Sequence, residues 1–144
     1  MENKLTGIFK GAAHRVQIEC YPKTAEIKVL LLPADGRKPI SITQNLGQPM
    51  PPYQAFLAED ILDPCDNGFM ALMEQNGLGY IVDYKRYDAD GVTGRKRRVA
   101  AIFQFNQDAL QRLTPEGCAR YEHHYAKLMR RQNRRHAKRM ACAV

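Results

Sequence analysis

The chain is 144 residues long, 44% apolar and 26% charged, and its formal net charge is +7. That length fits one domain with a modest core, and no stretch approaches the roughly 20 apolar residues of a membrane span. The opening Met1-Glu2-Asn3-Lys4-Leu5-Thr6-Gly7 has no apolar run after its charges, so no secretory signal is expected and the expected location is the cytoplasm. There the scattered Cys20, Cys65, Cys118 and Cys142, which form no C-x-x-C pair, predict free thiols and neither a disulfide nor a cysteine zinc site.

In chain order, Val16, Ile18 and Cys20 alternate with Arg15, Gln17 and Glu19, the period of a half-buried strand over His14 to Cys20. This strand starts the fold or follows a short one around Ile8-Phe9. Ala25 to Leu32 is a second strand, rich in β-branched and aliphatic residues. Ala34-Asp35-Gly36-Arg37 then turns the chain into Ile40-Ser41-Ile42-Thr43, so the first part reads as an antiparallel meander. Gln44 to Pro52 contains Gly47, Pro49, Pro51 and Pro52 and is read as a loop, because proline fixes φ and removes amide donors.

Pro52 suits the first turn of a helix, and Phe56, Leu57, Ile61 and Leu62 give that helix an apolar stripe that Asp63-Pro64 ends. A second short helix is expected with Asp66 or Asn67 as its cap, Phe69, Met70, Leu72 and Met73 inward, and Asn76-Gly77 closing it. Tyr80 to Tyr87 and Arg97 to Phe105 read as a hairpin around Asp88-Ala89-Asp90-Gly91-Val92-Thr93-Gly94. Asn106 is placed to cap a short helix through Leu113.

The last segment is the most informative. Thr114-Pro115-Glu116 is a start signal, and neither proline nor glycine follows Gly117, so one helix is expected over most of 115–140. At about 100° per residue, Cys118, Tyr121, Tyr125, Leu128 and Met129 share one stripe that continues through Gln132, His136 and Met140. Arg120, Lys127, Arg130, Arg131, Arg134, Arg135, Lys138 and Arg139, with His123 and His124, are expected on the opposite half of the cylinder, the histidines enlarging the basic face as they protonate. Eight cations against the single acid Glu122 account for the whole net charge of +7, which leaves 1–119 a neutral α+β body and 120–144 its basic helix, continuous with the same domain.

The fold class expected is therefore α+β: an antiparallel β-meander and a hairpin, short helices, and a long C-terminal basic amphipathic helix. Arg130 with Arg134, Arg131 with Arg135, Arg134 with Lys138 and Arg135 with Arg139 are like-charge neighbours that each destabilise an isolated helix by roughly 0.2–0.5 kcal/mol. Without a polyanion the last turns should fray and order on binding. Phosphates relieve that repulsion, and arginine's planar fork suits them. In composition only, the last fifteen or so residues resemble the arginine-rich helices that enter RNA grooves or span DNA phosphates.

A secondary patch is conceivable where Arg95, Lys96, Arg97 and Arg98 lie beside Tyr84 and Tyr87, phosphate contacts combining with base stacking. The plainer reading is an edge hairpin kept soluble by charge, with Asp83, Asp88 and Asp90 as ion-pair partners. Asp83-Tyr84-Lys85 has the form of a (D/E)-x-K metal-nuclease element, with Asp63 or Asp66 as a second carboxylate, but the upstream strand such a site needs is replaced by a loop. His14, His123, His124 and His136 offer no H-E-x-x-H and no nucleophile relay, and no cofactor is expected. Three functions follow in order: a non-enzymatic module binding RNA or DNA, an interaction protein that inhibits or adapts a nucleic-acid machine, of the kind phages and plasmids encode, by docking its basic face on an acidic protein surface, and a small metal-dependent nuclease. Membrane binding ranks last, because the apolar stripe is narrow and contains tyrosine and cysteine.

Overall fold

The computed structural model describes residues 3–48, 50–61, 68–88 and 97–142, with the side chains of Asp88, Arg97, Ala141 and Cys142 excepted. In chain order the elements are β1 (His14–Cys20), β2 (Ile27–Pro33), β3 (Ile40–Ser41), β4 (Thr43–Gln44), β5 (Gln54–Leu57), α1 (Phe69–Gln75), β6 (Gly79–Asp88), β7 (Arg97–Phe105), α2 (Gln107–Leu113) and α3 (Pro115–Cys142). The strands form two antiparallel sheets, one ordered β1-β2-β3 and the other β4-β5-β7-β6. The expected α+β class, meander, hairpin and long C-terminal helix are all present.

The meander is held by alternation. Val16 and Ile18 on β1 and Ile27, Val29 and Leu31 on β2 point to one side and are fully buried, while Arg15 and Glu19 stay exposed. The expected short strand at Ile8-Phe9 is reduced to a single bridge between Phe9 and Ala12. Ile42 separates β3 from β4 and carries the chain from the first sheet to the second. Its amide donates to Val29 O at 3.0 Å, and its carbonyl accepts from Ala58 N at 2.9 Å. The run read from sequence as one strand, Ile40 to Thr43, thus serves two sheets.

The helix expected from Pro52 is instead β5. Tyr53 has φ 62°, a left-handed conformation outside a helical first turn, and Gln54 to Phe56 pair with Gln104 to Ile102 of β7. β5 lies inside its sheet, between β4 and β7, and Ala55, Phe56 and Leu57 are all buried. A strand covered on both faces shows a continuous apolar run, which in sequence cannot be told from a buried helix. Leu62, Asp63 and Pro64, expected to finish that helix, lie outside the described residues.

α1 forms where expected and buries Phe69, Leu72 and Met73, with Asn76 as its C-cap. Gly68, at φ 81°, precedes it with no side-chain cap, and the caps expected from sequence, Asp66 or Asn67, lie outside the described residues. Phe69 of α1 packs on Phe103 of β7 and Phe103 on Phe105, the rings tilted or edge to face with centroids 6.4 and 4.8 Å apart, within one core that also holds the buried residues of β1 and β2. Asn106 caps α2 as expected, its side chain accepting from Ala109 N at 3.2 Å.

α3 packs its first half against β1 and α2. Gly117 permits the close approach, because a Cβ there would lie 3.0 Å from both the Ile18 carbonyl oxygen and the Ile18 Cβ. Cys118 and Tyr121 are buried, and burial pushes both their pKa values up. Cys20 and Cys118 are free thiols; Cys65 and the Cys142 side chain lie outside what is described.

Candidate nucleic-acid interface

The helix α3 changes character at its midpoint. Up to Met129 one side is held by specific bonds. The Tyr121 hydroxyl accepts from Tyr53 N at 3.0 Å, the Tyr125 hydroxyl donates to Met50 O at 3.2 Å, and His124 Nε2 lies 3.0 Å from Pro22 O. Tyr53, Tyr121 and Tyr125 also form a ladder of tilted rings, with centroids 5.1 and 6.0 Å apart. From Arg130 to Met140 every residue is exposed. The helix continues without interruption to Cys142, so the last 13 residues extend about 20 Å at 1.5 Å per residue.

Glu122, the single acid of the basic segment, is turned to the body. Its Oε1 accepts from the Tyr53 hydroxyl at 2.7 Å, Gln111 Nε2 at 2.9 Å and Gln107 Nε2 at 3.0 Å. Burial and the Glu122 bond together raise the Tyr53 pKa well above the usual phenol range. Glu122 is thereby occupied as an anchor, and none of the three ion pairs found among the described residues involves a cation of α3. Sequence reasoning missed this role; the signal was the placement of one acid among eight cations, directly after the buried Tyr121 and one turn from the buried Cys118.

Arg120, His123 and Lys127 lie exposed on the docked half, and Arg130, Arg131, Arg134, Arg135, Lys138 and Arg139 on the projecting half. His124 faces the β1–β2 turn through Pro22 and stands apart from this exposed set. The cations also do not all lie opposite the seam as expected. Arg139 follows Tyr121 by 18 residues, about five turns at 3.6 residues per turn, and so stands on the line of the buried stripe. Pairs repeating every four residues on a helix of 3.6 drift around the cylinder, so the cations form two inclined rows, Arg130-Arg134-Lys138 and Arg131-Arg135-Arg139.

The structure does not bring the secondary patch together. Tyr84 pairs with Ala101 and Tyr87 with Arg98, three residues apart on one strand, so the two rings occupy opposite faces of β6. Arg98 is in an ion pair with Glu59. Arg95 and Lys96 lie outside the described residues, as does the Arg97 side chain. Asp83 and Lys85 share a face of β6, both exposed; the Asp83 carboxylate accepts from Tyr84 N at 2.8 Å, and Lys85 Nζ bonds the Gln48 side chain. Asp63 and Asp66 are not among the described residues, and among those described no cluster of histidine, cysteine and carboxylate side chains could hold a metal ion. No described helix is long and apolar enough to cross a membrane.

The chain matches no family model, and no curated protein or solved structure is significantly similar to it.

Proposed function

We propose that this protein is a non-enzymatic nucleic-acid-binding module of the cytoplasm that contacts phosphates through the projecting half of α3. The observation that carries the reading is the combination of six cations on the fully exposed stretch Arg130 to Met140 with the withdrawal of the single local acid, Glu122, into bonds with the body. Cations held at this density without acids to offset them repel one another along the helix, and phosphates relieve that repulsion while releasing condensed counterions. Two rows of side chains, five of the six residues arginine, suit the two phosphate rows that border a groove.

The test is fluorescence anisotropy of the full chain with short RNA and DNA duplexes and single strands over a salt series. The expected result is micromolar or tighter binding that weakens steeply with salt and is weakened at least about tenfold in R130Q/R131Q/R134Q/R135Q. If none of these ligands binds at physiological salt, the reading is wrong, and an acidic protein surface becomes the partner to seek.

A further inference from the structure

Four of the six large hydrophobic side chains that stand exposed among the described residues lie on the β6–β7 hairpin: Tyr80 at 62%, Val82 at 43%, Tyr84 at 60% and Val99 at 57%. Scattered apolar residues need no explanation, but a cluster on one element marks a contact surface. A stacking platform for bases does not explain it. The register shift between Ile81 and Asp83 puts Tyr80 opposite Gln104 and Tyr84 opposite Ala101, positions three residues apart on β7, so the two rings lie on opposite faces of the sheet.

The backbone explains it better. β6 is the outer strand of its sheet, ten residues long, and its free edge carries amides that the β7 ladder does not use. The Tyr84 amide is one of them, since it is taken up by its neighbour's carboxylate, Asp83, at 2.8 Å.

We infer that β6 is a self-association edge, pairing antiparallel with β6 of a second copy of this chain in a register centred on Tyr84. Charge selects both the occupant and the register. A two-fold axis perpendicular to the sheet sets a residue opposite its own copy. Centring on Asp83, Lys85 or Arg86 would place like charges face to face, which is destabilising. Centring on Tyr84 sets Tyr84 against Tyr84, Asp83 against the second copy's Lys85 and Lys85 against the second copy's Asp83. The two ion pairs are related by the axis, and both flank an aromatic pair. Asp83 exchanges its bond to the Tyr84 amide, and Lys85 its bond to the Gln48 side chain, for the facing ion pair, and the freed amide donates to the carbonyl across the interface. The two four-stranded sheets become one of eight strands, and Tyr84 loses its exposure.

The experiment is sedimentation velocity of the full chain over a concentration series, with wild type, D83K, K85D and D83K/K85D. Wild type is expected to dimerise, and D83K and K85D alone to weaken the dimer by at least about tenfold, because each makes both facing pairs repulsive. The double variant restores the dimer. Mixing D83K with K85D also restores it, because both pairs in the mixed dimer are again attractive. Circular dichroism on each variant confirms that the monomer is folded, and the mixed sample tests the register with chains that each fail alone. A wild type that stays monomeric at the highest concentration overturns the inference, and so does a dimer indifferent to D83K and K85D.

Discussion

Glu122 accepts the Tyr53 hydroxyl at 2.7 Å across 69 positions of sequence, and this bond ties the base of α3 to the entrance of β5. Two glutamines of α2 converge on the same oxygen. E122A removes the acceptor from three donors at once and is expected to cost about 1–3 kcal/mol in urea-induced unfolding. E122Q, which keeps an acceptor oxygen, should lose less. Equal unfolding midpoints for wild type and E122A would mean that the Tyr121 seam alone holds the helix.

The projecting half of α3 separates binding from stability. R130Q/R131Q/R134Q/R135Q should lower the slope of log affinity against log salt by about 0.7–0.9 for each phosphate that the variant no longer neutralises. It should leave the unfolding midpoint of the body unchanged, because all four side chains are exposed, and the helical signal at 222 nm should rise slightly as repulsion between neighbours at four-residue spacing disappears. A fall in body stability would show that these residues pack rather than project.

Glu26 is 2% exposed, and neither carboxylate oxygen has a hydrogen-bond partner among the described residues. Burial raises its pKa from 4.5 to about 7. The folded state therefore holds this proton more tightly than the unfolded chain does, so the stabilising contribution is complete below about pH 4.5 and is lost as pH rises through 7. E26Q removes this loss. It should raise stability at pH 8 by roughly 1–3 kcal/mol and change it little at pH 4. His14 works in the opposite sense. Burial lowers its pKa below 6.5, so its contribution falls as pH drops below that value, and only a comparison of E26Q with wild type isolates the carboxylate.

Gly79 sits at φ 151° where β6 begins, and an added Cβ would meet the Gln104 carbonyl oxygen at 2.1 Å and Phe103 Cε2 at 2.6 Å. The oxygen belongs to the neighbouring strand's backbone and cannot turn aside. G79A should destabilise by roughly 2–4 kcal/mol in denaturant titration. A cost below about 1 kcal/mol would mean that the β6–β7 register shifts to accommodate the methyl group.

Legibility in the sequence followed the physics of each element. β1, β6, β7, α2 and α3 could be read because each carries a period or a start signal: alternation at Val16 and Ile18, Asn106 before α2, and Pro115 at the start of α3, although the Thr114 hydroxyl expected to cap that helix instead donates to Leu110 O at 3.1 Å. β5 was not legible, since Ala55, Phe56 and Leu57 are buried on both faces and a buried run has no period. The split of Ile40 to Thr43 between two sheets was hidden as well, because sheet membership depends on partners distant in sequence. At the candidate interface the cations were visible as a charge excess. Glu122's engagement was not, because its three donors come from residues 53, 107 and 111.

Ile42 gives one residue a hold on both halves of the architecture. Its amide belongs to the ladder of β2 and its carbonyl to the segment that follows β5, and its side chain is fully buried between them. Neither half can come apart without breaking a bond that this residue keeps with the other. Heat or denaturant should therefore melt the meander and the four-stranded sheet together, in a single sigmoidal step that reads the same whether it is followed through backbone circular dichroism or through tyrosine fluorescence.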